Sequence, residues 1–282
     1  MQRIVYSVYV DVPAEEHYGQ SKLKYDTPEK ASVTVNAFKK HYDKLVESKL
    51  KYANGMGAEF ILFKYDEQYL TFANNLKNDF PELTGYEIIN FYKIHLLYHL
   101  AEKYDEILYL DFDAVPLTRE SFFDRWDLSK GICVYNNNSM VKKDRDVFQS
   151  IRSPTAKYFN CQAMLLDKGL HPKNDVINTG IIGARKEDII KLNFFGGFKD
   201  TIDLMTKLRS DTSLYPQNIV DMFRYDNETI FSYKKETNLI NIQWLDNEWH
   251  YFFDTQHFIP KETKIVHCVC KDFDAVWRKY NA

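Results

Sequence analysis

The run Ile107-Leu108-Tyr109-Leu110-Asp111-Phe112-Asp113-Ala114-Val115 constrains this chain more than any other segment. Four apolar or aromatic residues in a row predict a buried strand, and two carboxylates one residue apart stand at its end. Buried like charges are costly unless a positive group neutralises them. An extended backbone sends side chains i and i+2 to the same face, about 7 Å apart, so Asp111 and Asp113 can reach one ion or its water shell. Carboxylate oxygens suit Mg2+ and Mn2+, ions that commonly share such sites with substrate phosphates. The pattern predicts a metal–phosphate site rather than a strand ending in two solvated aspartates.

A strand of this kind needs sheet neighbours, and the chain supplies them. Strand and helix signals alternate from the start, which predicts an α/β fold: a mostly parallel central sheet flanked by helices, in a single domain. Strands are expected at Ile4–Val10, Phe60–Phe63, Ile107–Leu110, Ile132–Tyr135, Leu239–Gln243 and Lys264–Cys270. A long helix starts at Thr27-Pro28-Glu29, with proline in its first turn, and stops at Asn54-Gly55. Further helices are expected at Tyr86–Glu102, Glu120–Leu128, Ala156–Leu166, Lys186–Arg209 and Pro216–Lys234. Tyr135–Thr155 is polar and asparagine-rich, as in a lid-like loop.

Composition then excludes several classes. The 282 residues carry a net charge of −3 and no long basic run, which argues against a nucleic-acid partner. No stretch of eighteen apolar residues occurs, so no membrane span is expected, and Met1–Val10 is too short and polar for a signal peptide. Cys133, Cys161, Cys268 and Cys270 match no zinc spacing and read as reduced structural thiols. Together these features predict a cytoplasmic protein, in which the sequons at Asn137 and Asn227 carry no meaning. The aromatic share of 16% is high and suits sugar or base stacking as well as core filling.

A hydrophobic strand ending in Asp-x-Asp also matches the nucleophile motif of haloacid-dehalogenase-like phosphatases. Those open their fold with that strand and need a later acidic pair. Here about a hundred residues of α/β pattern come first, and no such pair follows. The runs YDEILYLDFDAVPL, VINTGIIGA, YDNETIF and KIVHCVCKDF resemble, in that order, the signature segments of retaining GT-A glycosyltransferases. Glycogenin and the bacterial lipopolysaccharide galactosyltransferases, the family 8-like group, are the relatives the chain looks most similar to. The resemblance runs from about Ile4 to Trp277.

That resemblance implies a GT-A fold with a nucleotide-binding half (residues 1–115) and a half for donor sugar and acceptor (residues 116–282). It implies a hexosyltransferase that moves sugar from a nucleotide-sugar donor, UDP-linked by expectation, to a hydroxyl on a glycan, lipid or protein, with retention. Asp111, Asp113 and His267 would hold Mn2+ or Mg2+, and Asp111 would also reach the ribose. Lys93 and Asp11 would contact the donor, with Tyr18 stacking on the base. Asn178 would bind sugar hydroxyls, and Gly180 would let the backbone approach the donor closely. Asp226 and Asn227 take the place of the family's Asp-Gln pair beneath the anomeric carbon. Relatives follow the metal histidine with glycine and then Lys-Pro-Trp; here Cys270 replaces the glycine, and Lys271 is the local substitute for the diphosphate-gripping lysine.

Two other classes stay open at this stage. A sugar-phosphate nucleotidyltransferase would have a related fold, but it opens with a glycine-rich loop, and Asp11–Gln20 holds only Gly19. A non-catalytic carbohydrate-binding protein would keep the strands and lose the metal ligands. The oligomeric state is not encoded in any feature of the sequence.

Overall fold

A strand with no polar side chain on either face must be covered on both, and that requirement organises the molecule. The computed structural model describes residues 1–12, 28–141, 153–210, 213–215, 217–220, 223–254 and 258–280. In chain order the elements are β1 (Arg3–Tyr9), α1 (Pro28–Gly55), β2 (Glu59–Lys64), α2 (Glu67–Asp79), α3 (Gly85–Ala101), β3 (Glu106–Leu110), β4 (Ala114–Pro116), α4 (Phe122–Arg125) and β5 (Ile132–Asn136). Then follow α5 (Ser153–Asp167), β6 (Ile177–Arg185), α6 (Lys186–Leu192), α7 (Phe198–Arg209), α8 (Gln217–Val220), α9 (Asn227–Thr237), β7 (Ile242–Leu245), β8 (Tyr251–Phe252), β9 (Ile265–His267) and α10 (Phe273–Tyr280).

The main sheet has the order β2-β1-β3-β6-β5-β7, and β6 alone runs against the other five strands. Strand β3 lies near its centre with all five residues buried. Ile107 and Tyr109 enter one core with residues of α3, α5, α6, α7 and α9. Leu108 and Leu110 enter another with Tyr52 and Ala53 of α1, Phe122 and Trp249. The mixed α/β architecture expected from the alternating signals is therefore present.

A second, three-stranded sheet, β4-β9-β8, continues from the end of β3. Ala114 pairs with His267, and the Cys268 amide donates to the Asp113 carbonyl at 3.0 Å. This register brings the fourth signature segment, with His267, beside the first, across more than 150 residues of chain.

Several boundaries differ from the expectation. The helix predicted over Lys186–Arg209 is two helices, α6 and α7, because Asn193 (φ 45°) and Gly197 (φ 60°) take left-handed conformations between them. The helix predicted over Pro216–Lys234 is likewise broken: α9 starts only after Asp226, whose carboxylate accepts the Glu228 amide at 2.9 Å as an N-cap. The strand predicted over Lys264–Cys270 ends at His267, and Cys268 is buried while Cys270 is exposed. Helices α2 and α10 and strands β4 and β8 were not evident in the periodicity; α2 starts at an Asp66 N-cap that accepts from the Tyr69 amide. Of the expected Tyr135–Thr155 loop, residues 142–152 lie outside the described residues, and the rest forms the end of β5, a short 3-10 turn and the start of α5. All four cysteines are free, and among the described residues no helix is long and apolar enough to cross a membrane.

Candidate active site

Strand β3 stops where its two carboxylates begin, and the backbone there is pinned on three sides. The Asp111 amide donates to the Gly180 carbonyl at 2.7 Å, and the Ala114 amide closes a turn onto the Asp111 carbonyl at 2.9 Å. The Asp113 carbonyl is held by Cys268 as above. Nε2 of His267 lies 3.6 Å from Asp111 Oδ2 and 3.3 Å from Asp113 Oδ1. One ligand atom from each of the three residues falls within 4.8 Å of the others, with Asp113 and His267 buried and Asp111 partly open. Two hard oxygens and one imidazole nitrogen are a donor set that fits Mn2+ well.

Positive charge surrounds the pair. Lys93 comes off α3 and places Nζ 3.3 Å from Asp111 Oδ1, although it is 4% exposed and not a surface lysine. Its own turn of helix is fixed by the Tyr6 hydroxyl, which donates to the Lys93 carbonyl at 2.6 Å. The Tyr109 hydroxyl donates to Asp111 at 2.5 Å. Lys271, in a left-handed conformation (φ 62°), reaches back to Asp113 Oδ2 at 2.5 Å. Burial opposes ionisation of Asp113, but Lys271 and His267 outweigh it and hold its carboxyl well below the usual range.

His267 is held as tightly as the carboxylates. Its Nδ1 lies 3.0 Å from Nε2 of the fully buried His250, and His250 stacks in turn on Phe252. Burial opposes the charged imidazolium of His267, yet the carboxylates of Asp113 and Asp111 raise its pKa above the ordinary value. Gly180 lies against the Nδ1–Cε1 edge of the ring. A Cβ there would sit 2.5 Å from His267 Cε1 and 2.7 Å from Nδ1. The glycine is thus required by the histidine, a reason distinct from the close approach to donor expected from the sequence.

Beside this cluster lies a second one. The Thr179 amide and hydroxyl both donate to Glu228 Oε1, at 2.8 and 3.1 Å. Asn227 is buried and donates its side-chain amide to the Thr179 hydroxyl at 2.8 Å. Lys157 of α5 pairs with Glu228 Oε2 and stands 3.5 Å from Asp226 Oδ2. Asn178 uses its side-chain oxygen to accept the Gly180 amide at 2.9 Å.

The structure therefore gathers Asp111, Asp113, His267, Lys93 and Lys271 at one point, with Asn178 and Gly180 against them and Asp226 and Asn227 one residue layer away. Asp11 stands apart: it is exposed and pairs with Lys39 at 2.9 Å. Tyr18 lies outside the described residues. Three participants escaped the sequence reading: His250, Lys157 and Lys49. Lys49 is fully buried under the acidic turn, donates to the Phe112 carbonyl at 2.9 Å, and has its pKa pulled down to about 7 by that burial. On α1 it is one lysine among several, with no sequence signal to set it apart.

The end of the mostly parallel sheet thus carries paired carboxylates and a histidine that could hold a metal ion, flanked by two lysines. Residues 8–193 match the family described as glycosyl transferase family 8. The chain belongs to that family, and it is a glycosyltransferase with the α/β layout expected of one. Comparison with curated proteins gives no match. Among solved structures it is similar to a glycosyltransferase involved in the glycosylation of the major capsid of PBCV-1, at 12% identity, covering 100% of this chain and 98% of that one, with a TM-score of 0.46. It is also similar to mouse xyloside xylosyltransferase 1 (12% identity, 96% and 98% covered, TM-score 0.47) and to the galactosyltransferase LgtC in complex with donor and acceptor sugar analogs (11% identity, 95% and 87% covered, TM-score 0.41).

Proposed function

We propose that the protein transfers a hexose from a UDP-sugar to a hydroxyl acceptor, with Mn2+ or Mg2+ held by Asp111, Asp113 and His267. The observation that carries this reading is the convergence of those three donors between Lys93 and Lys271. A cation held there would stabilise the negative charge that develops on the departing nucleoside diphosphate. Lys271 stands on the same side as Asp113 and is the residue to grip the diphosphate. Lys93 and Asp111 fit the ribose and phosphate side, with Asp11 toward the base. In this reading residues 1–115 bind the nucleotide, and residues 116–282 bind the sugar and the acceptor. The free thiols support action in a reducing, cytoplasmic setting.

Retention is supported by the state of the carboxylates beside the metal cluster. An inverting enzyme needs a general base with a free oxygen aimed at the acceptor. Glu228 already accepts from Thr179 twice and pairs with Lys157, and these partners hold its pKa below the ordinary value against the opposing effect of burial. Asp226 caps α9 and faces the same lysine. Glu228 is thereby poorly suited to remove a proton. Burial and the neighbouring Glu228 raise the pKa of Asp226, but its carboxylate is engaged by the α9 cap and Lys157. Front-face attack with the leaving phosphate as proton acceptor needs neither.

Asp226→Asn is expected to lower turnover on the order of a hundredfold, because small displacements of positioning groups are expensive, and Asn227→Ala clearly less. The functional test is a screen of nucleotide sugars for Mn2+-dependent hydrolysis, which needs no knowledge of the acceptor, followed by proton NMR of the sugar released or transferred. Preserved anomeric configuration is the expected result. An inverted product would make Asp226 or Glu228 the base. Release of pyrophosphate from a sugar phosphate and UTP would point to a nucleotidyltransferase, and sugar binding without turnover to a non-catalytic protein.

A further inference from the structure

We infer that Lys157 is the positioning residue of the sugar-side cluster: its ammonium locks Glu228 and Asp226 as an anionic clamp on the Asn178–Gly180 stretch of β6. The inference rests on the transferase reading for its catalytic part only. Lys157 sits on α5 with its side chain 18% exposed, and the two carboxylates it faces are 8% and 13% exposed. Two buried carboxylates this close are unstable as a pair without a cation between them. Glu228 then passes the constraint on, through its bonds to the Thr179 amide and hydroxyl, to the start of β6, where Asn178 precedes Thr179 and Gly180 follows it. Gly180 abuts the His267 ring. Lys157 is therefore mechanically linked to the metal cluster without touching it.

The groups that face this clamp come from every element around it. Lys93 and Tyr86 approach from α3, Arg224 from the segment before α9, and Thr179 from β6. Lys93 is already committed to Asp111 and Tyr86 is a neutral phenol near neutral pH. Lys157 is the cation in direct contact with both carboxylates.

The charge argument gives a signature that loss of packing does not. In Lys157→Met the stem is kept and the charge removed. Burial and mutual repulsion then lift Glu228, held low by Lys157 in the wild type, above its unfolded value and push Asp226, already raised by burial, higher still. A group raised in this way contributes stability that is present below its unfolded pKa and lost as pH rises through the folded value. The Tm deficit of K157M against wild type is therefore expected to be small at pH 5 and to grow to about 10 °C at pH 8. At pH 8, turnover should fall about a hundredfold, with the donor KM moved less than about threefold. Lys157→Arg, which keeps the charge, should recover most of both. A Tm deficit that is constant from pH 5 to 8, or wild-type turnover in K157M, overturns the inference. Should K157M fail to fold at every pH, adding Asp226→Asn and Glu228→Gln removes all three charges together and is expected to restore folding; a triple variant that stays unfolded also overturns it. The melting series uses no donor, so it decides the matter even if no nucleotide sugar is turned over and the transferase reading itself fails.

Discussion

Asp113→Asn is expected to lower Mn2+-dependent turnover about a thousandfold, since it removes the more buried anionic ligand where charge develops. The asparagine can still accept from Lys271, so the fold should survive, and circular dichroism should match wild type. Asp113→Ala should lose as much activity and melt lower, because Lys271 then has no carboxylate to meet. His267→Ala should be milder than either, as a neutral ligand contributes less than an anion. Calorimetry with MnCl2 alone separates the two contributions. Undiminished metal affinity in Asp113→Asn would remove this residue from the site.

The second large effect belongs to Gly180, a residue with no functional group. The methyl of Gly180→Ala would sit 2.5 Å from the His267 ring, which His250 holds through Nδ1 on the same edge and Phe252 packs beside. Overpacking of this kind costs about 1–3 kcal/mol, and displacing a metal ligand by its supports typically weakens metal affinity 10- to 100-fold. Both are expected together: a lower Tm and weaker Mn2+ binding. If Gly180→Ala binds Mn2+ as wild type does, the packing against His267 is not what fixes the ligand.

The central strand and its carboxylates were legible because hydrophobic continuity and a polar terminus are local signals. Ile107–Leu110 is buried on both faces, as four consecutive apolar residues require. The approach of His267 was legible only through resemblance, since the register that pairs it with Ala114 is a tertiary fact. The breaks at Asn193–Gly197 and before Asp226 were missed because apolar spacing carries on through them, while the left-handed residues and the N-cap decide where helices stop. Lys49, Lys157 and His250 were invisible for a simpler reason. Composition assigns lysine and histidine to the surface, and only packing shows that these three are buried against carbonyls, carboxylates and another imidazole.

Lys93 is the residue whose surroundings depart furthest from what its place on a helix suggests. A helix lysine has little prior claim to function, but here the buried stem and the 3.3 Å approach to Asp111 make it part of the charge balance of the site. Lys271 is similar: the Lys-Pro-Trp pattern of relatives is absent, yet a left-handed residue after Cys270 turns a lysine back onto Asp113.

The most direct test of the account is calorimetric titration of UDP into the protein with excess Mn2+ and again with EDTA. A nucleotide site built on Asp111, Asp113 and His267 needs the cation to join carboxylates to phosphates, since without it like charges face one another. UDP should bind in Mn2+ and show no measurable heat in EDTA, and Asp113→Asn should behave in Mn2+ as wild type does in EDTA. Equal affinity for UDP with and without the metal would contradict the assignment of these three residues.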